Sequence, residues 1–162
     1  MRYTLEDETV YHSKFGIVAD DEYLLRVIYS PEHIINGSVI ESAISLDDLS
    51  TRGFSLDREM YQDQSLITKR IEIQSQKKPA ERQSSSIFRF KCGAARSIQI
   101  INQHDNRAFI VIDDAQQNNE AHASLYSAQN GLGRVWLRLK LKPLISQRAL
   151  LSASLNAWGL EP

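Results

Sequence analysis

The chain has 162 residues, 42% hydrophobic and 24% charged, with 19 Lys plus Arg against 20 Asp plus Glu and a net charge of -1. A chain of this length buries roughly 70% of its unfolded surface as one domain and folds without a metal or disulfide staple. The charge balance removes the broad positive field that non-specific nucleic-acid binding needs, and the single Cys92 excludes an internal disulfide and a four-cysteine zinc site.

The lone thiol fits a reducing cytoplasm. The opening stretch MRYTLEDETVYHSKFG carries acids and no apolar core, unlike a secretory signal. Nowhere do about 18 apolar residues run together, so no membrane span is expected.

Residues 1–15 are polar and mixed, and read as an arm or a short edge strand. Glu22 to Tyr29 crowds Leu24, Leu25, Val27, Ile28 and Tyr29 around Arg26, which predicts a strand. An arginine in such a run snorkels to water or pairs with a carboxylate. Ser30-Pro31 reads as a helix start, with Ser30 as cap and Pro31 in the first turn. Asn36-Gly37 is a turn signal, which leaves that helix a single turn. Ser38 to Ile44 alternates weakly, as a strand would. Ser45 with Asp48 three residues on resembles a capping box, and Gly53 suits the left-handed end of that turn. Phe54-Ser55-Leu56 predicts a short strand.

From Gln62 to about Lys77, Leu66, Ile67 and Ile71 share one helical face; Ile71 to Gln74 also alternates, so a strand competes there. Residues 77–86, KKPAERQSSS, hold nothing apolar larger than alanine and read as a surface loop. Ile87 to Cys92, IFRFKC, alternates apolar with basic residues and predicts a half-exposed strand. For Ala94 to Gln103, helical spacing (94, 98, 101) and strand alternation (98, 100) both fit, the helix slightly better. His104-Asp105-Asn106 is a turn into the most apolar run of the chain.

That run is Arg107 to Asp114, RAFIVIDD, with Ala108, Phe109, Ile110, Val111 and Ile112 in succession. It predicts a strand covered on both faces, around which the rest is organised. Asn118 or Asn119 then caps an expected helix through Ala121, Leu125 and Ala128, stopped at Asn130-Gly131. Arg134 to Leu141, RVWLRLKL, is the cleanest period-two pattern: Val135, Leu137, Leu139 and Leu141 on one face, Trp136, Arg138 and Lys140 on the other. Pro143 opens an expected helix to Trp158, with Leu144, Leu151 and Leu155 on its face.

These elements predict an α+β fold, a single domain over 1–162 with a mixed or mostly antiparallel sheet and packed helices. The chemical signals are sparse. Asp113 and Asp114 close the best strand with Glu120 and His122 nearby, a set suited to a divalent metal and a base; starting a turn is the plainer role of those acids. Alternation lets only one of the two aspartates face a site. Cys92 lies on the apolar side of its strand. Its expected burial suits packing rather than a catalytic thiol. No HExxH, CxxC, phosphate-loop or GxSxG motif is present.

Arg89 and Lys91, with Arg134, Arg138, Lys140 and Trp136, would make one cationic and aromatic sheet face if their strands were neighbours. The expectation is therefore a cytoplasmic binding or accessory module using that face, with a protein partner or a second copy, and with no cofactor, metal or membrane. The net charge does not favour nucleic acid. The alternative is a metal-assisted enzyme on a phosphate-containing substrate, with Asp113 or Asp114 at the metal and His122 as base.

Overall fold

In the computed structural model, residues 6, 12–100, 107–128 and 134–145 are described. The strands are β1 (Tyr23–Pro31), β2 (Ile34–Ile35), β3 (Ser38–Val39), β4 (Phe54–Arg58), β5 (Arg82–Lys91), β6 (Phe109–Asp113) and β7 (His122–Ser127). The helices are α1 (Gln64–Lys77), α2 (Cys92–Arg96) and α3 (Arg134–Ile145). Five strands make one antiparallel sheet in the order β5-β1-β4-β7-β6, and β2 and β3 pair as a separate hairpin. The fold is α+β, as the mixed element order implies.

β1 forms because its apolar residues fill both sides of a central position, with Leu24, Leu25 and Ile28 fully buried. Arg26 takes neither of the two expected routes. Its guanidinium lies 4.0 Å over the Phe54 ring and donates to the Ser55 carbonyl at 2.8 Å. Phe54, Phe88 and Phe109 are fully buried, each contributing about 1.5–3 kcal/mol through burial. β6 is buried as predicted, yet it stands at a sheet edge; β4 is the middle strand.

The turn at Asn36 (φ 50°) and Gly37 (φ 77°) joins β2 to β3, the positive angles that a two-residue hairpin demands. The helix expected after Ser30 does not form. Pro31 instead ends β1, where a missing N–H is tolerated. The strand expected over Ser38 to Ile44 is confined to Ser38–Val39, followed by a 3-10 turn over Glu41–Ala43. Ser45 does cap: its hydroxyl accepts from the Asp48 amide at 3.2 Å, and Gly53 ends the turn at φ 86°.

α1 is helical throughout, which removes the strand alternative at Ile71 to Gln74. Asp63 caps it by accepting from the Ser65 amide at 2.8 Å. Ile67 is fully buried, while Leu66 and Ile73 stay exposed at 38% and 44%.

Larger departures from the expected elements have identifiable reasons. The loop expected over 77–86 shrinks, because β5 begins at Arg82 and Ser84, Ser85 and Ser86 pair with Ser30, Tyr29 and Ile28. Their polarity reflects an edge strand facing water, not an absence of backbone pairing. The helix expected through Ala121, Leu125 and Ala128 is strand β7, preceded by a turn in which Gln116 and Asn119 exchange backbone bonds at 3.0 and 2.9 Å. Ala121, Ala123 and Leu125 alternate with His122, Ser124 and Tyr126, so period two prevails over the spacing of four.

RVWLRLKL is not a strand but most of α3. Leu137, Leu141, Leu144 and Ile145 lie at i, i+4, i+7 and i+8 and make the inward face. Leucine, arginine and lysine favour helix, and Val135 is the segment's sole β-branched residue before Ile145. Pro143 sits inside α3 rather than opening a new helix. Ala94 to Gln103 resolves into the end of the five-residue α2, then a single bridge from Gln99 to Arg107. Residues 101–106, with the His104-Asp105-Asn106 turn, lie outside the described residues. So do Asn130-Gly131 and the helix expected to run on to Trp158.

Candidate functional site

The middle strand ends in two charged residues, Asp57 and Arg58, both buried. Alternation sends their side chains to opposite faces of the sheet.

On one face Arg58 is fully enclosed. It donates from Nε and Nη2 to the two carboxylate oxygens of Glu22, at 2.8 and 2.6 Å, and from Nη1 to the Gly16 carbonyl at 2.8 Å. Tyr61 stacks on Phe15 with ring centres 3.9 Å apart, and the guanidinium lies 4.8 Å from the Tyr61 ring. Asp113 approaches Nη1 at 4.0 Å, while its other oxygen accepts from the Ser13 amide and hydroxyl at 2.9 and 2.8 Å. A fork-to-fork arginine–carboxylate pair of this kind is strong and geometrically exacting.

On the other face Asp57 organises a polar cluster. Its Oδ1 accepts from Gln62 Nε2 at 2.7 Å and from Asn119 Nδ2 at 2.8 Å; its Oδ2 accepts from Arg70 Nη2 at 2.8 Å. Gln62 Nε2 also reaches Asn119 Oδ1 at 3.2 Å. These three partners of Asp57 line a groove of about 860 Å³ between α1 and the turn over 116–121. Tyr61, Leu66, Lys69 and Ile73 add an aromatic ring, two aliphatic chains and a cation to the wall. The groove therefore joins exposed apolar surface to amides whose orientation a buried carboxylate fixes.

Of the residues predicted for chemistry, Asp114 and His122 are brought together, while Asp113 and Glu120 point elsewhere. Asp113 faces Ser13 and Arg58. Asp114 accepts from the Ser124 hydroxyl at 2.5 Å, and its backbone carbonyl lies 2.8 Å from His122 Nδ1. His122 is buried, 3.7 Å from the Asp114 carboxylate. Serine, aspartate and histidine thus meet at Asp114 Oδ2, and the Ser124 hydroxyl donates to the aspartate. Glu120 points outward to Lys14 at 3.5 Å. Among the described residues no group of three or more His, Cys, Asp or Glu is arranged to hold a metal ion. Cys92 is buried as expected, and burial pushes its thiol up to about 12.

The cationic face expected from two neighbouring strands does not exist as such. Arg89 and Lys91 lie on β5, whereas Arg134, Trp136, Arg138 and Lys140 lie on helix α3. Arg89 stacks over the Tyr23 ring at 3.4 Å and donates to Glu59 at 2.9 Å; Lys91 lies 5.4 Å from the same ring. Arg138 donates to the Ile44 carbonyl at 3.0 Å, and Lys140 lies 5.6 Å from the Trp136 ring. Arg89 and Arg138 therefore already have partners inside the fold. No helix among the described residues is long and apolar enough to cross a membrane.

Sequence reasoning missed Asp57, Gln62, Arg70 and Asn119. The available signal was a charged dipeptide directly after an apolar strand, Phe54 to Arg58, followed by the Asp63 cap. Comparison with protein-family models, curated proteins and solved structures returns no match.

Proposed function

We propose that this chain is a non-catalytic binding module whose partner is another protein, taken up in the groove between α1 and the 116–121 turn. One observation carries the reading: exposed Leu66 and Ile73 stand beside Gln62, Asn119 and Arg70, which Asp57 holds in place. Protein recognition sites combine apolar anchors with oriented polar groups, and polar groups fixed before binding lose less freedom when a partner arrives. Asp113, Asp114 and His122, the residues first suspected of catalysis, are engaged in internal hydrogen bonds away from this groove.

The test is selection of displayed peptides on the wild-type protein, followed by binding to Leu66→Glu/Ile73→Glu. Both positions are exposed, so the variant should melt like the wild type. Peptides should lose at least about tenfold in affinity, or roughly 1.4 kcal/mol. Selected peptides that bind the variant equally well would remove the groove as the recognition surface.

A further inference from the structure

The groove between α1 and the 116–121 turn has a chemical sign. Leu66, Lys69, Arg70 and Ile73 lie at i, i+3, i+4 and i+7, so they share one face of α1 and all line the groove. Two exposed apolar side chains thus bracket two cations, with about 10 Å of helix between the outer pair.

Hydrogen-bond accounting separates what is spent on this wall from what is left. The acceptors are in use. Asp57 is buried with both carboxylate oxygens bonded. The Asn119 carbonyl oxygen accepts from Gln62, and the Gln62 carbonyl oxygen accepts from the Asp63 amide at 2.8 Å. Of the acids at the rim, Asp63 caps α1 through the Ser65 amide and hydroxyl at 2.8 and 2.7 Å, and Glu120 lies 3.5 Å from Lys14. Glu72, three residues after Lys69, is not part of this wall.

The donors are only partly spent. Arg70 gives Asp57 a single N–H, from Nη2, and its Nη1 has no acceptor among the described residues. The Arg70 side chain is 38% exposed, so its charge reaches the groove. Lys69 is exposed and forms no ion pair among the described residues. Gln116, Gln117 and Asn118 on the opposite bank are neutral amides, donor and acceptor alike, and set no sign.

We infer that the groove takes an acidic, apolar segment of its protein partner, with one carboxylate set between two apolar side chains. The apolar pair lies on Leu66 and Ile73, and the carboxylate accepts from Arg70 Nη1 and Lys69 Nζ. The inference rests on the groove reading above and adds the chemistry of the occupant. A cationic segment meets two like charges and no uncommitted carboxylate there, and is rejected. A neutral apolar segment strips water from both cations without returning a counter-charge.

Peptides selected from an unbiased library on the full chain test it. Binders should carry Asp or Glu between two apolar residues. Replacing that acid by its amide should weaken binding about fivefold, and added salt should weaken it too. Lys69→Glu leaves the Asp57 cluster and the apolar stripe intact and should melt like the wild type. It should lower affinity roughly tenfold, with Lys69→Gln in between, and as bait it should select peptides carrying Lys or Arg in place of the acid. Binders that weaken on Leu66→Glu/Ile73→Glu but carry no acid, or that bind Lys69→Glu as tightly as the wild type, would overturn this inference and leave the groove reading standing. A library that yields no binder, or only binders indifferent to Leu66→Glu/Ile73→Glu, overturns the groove reading and this inference with it.

Discussion

Arg58 and Asp57 are neighbours on one strand and opposites in setting. Arg58 is 0% exposed and meets Glu22, backbone carbonyls and two aromatic rings, all contributed by the segment before β1 and the turn after β4. Asp57 is equally buried, yet its partner Arg70 is 38% exposed and lies on the wall of an open groove. A charge sealed on all sides has no recourse when its partner is removed. A charge backed by a groove can recruit water. The same pair of residue types therefore acts as a structural lock on one face of the sheet and as an adjustable support for a surface on the other.

The largest expected effect comes from breaking the lock. Arg58→Met leaves Glu22 buried without a counter-charge and should cost about 3–5 kcal/mol. Replacing both partners, as Glu22→Leu/Arg58→Met, removes that stranded charge but leaves Asp113 without Arg58, and should recover part of the loss. Urea unfolding of the two singles and the double measures the coupling. If the double is as unstable as the sum of the singles, the pair is not a lock and Arg58 acts through packing alone.

The open face should respond less. Asp57→Ala strands the Gln62 and Asn119 amides, at a cost of about 1–3 kcal/mol, while Arg70 turns to solvent. The fold should survive, and groove binding should weaken more than stability does because the amides lose their orientation. A loss as large as that of Arg58→Met would erase the contrast between the faces.

This contrast was not legible in the sequence. Strands β1, β4 and β6 and most of helix α1 were, because their apolar residues cluster or share one face, and Asn36-Gly37, Ser45 and Gly53 marked the turns between β2 and β3 and before β4. The segments that inverted, β7 and α3, contain apolar residues whose spacing satisfies both periods. Only the surface each segment packs against decides between them, and that surface lies elsewhere in the chain. The buried charges were invisible for the same reason. Arg58 is tolerable because of Glu22, which is 36 positions away, and Asp57 because of Arg70, 13 positions away. The same holds for the cationic set: a strand reading of RVWLRLKL placed Trp136, Arg138 and Lys140 on a sheet they do not join.

A third arginine–carboxylate pair, past the far end of β1, sharpens the comparison and should give the smallest effect. Glu32 accepts from Arg82 Nε at 2.5 Å and from Lys78 Nζ at 2.9 Å. The Arg82 hydrogen bond holds the Glu32 carboxyl down to about 2, against an ordinary 4.5. Because the folded value lies below the unfolded one, the contribution is complete above about 4.5 and is lost as pH falls toward about 2. Arg82→Gln should therefore destabilise the protein most at neutral pH, with the gap to the wild type narrowing as the solution is acidified through that window. Urea unfolding at several pH values reads the gap directly. Arg82 also stacks 4.9 Å from the Tyr29 ring, a contact indifferent to the ionisation of Glu32. A gap that stays constant down to about pH 2 would assign the stabilisation to that ring and not to the carboxylate.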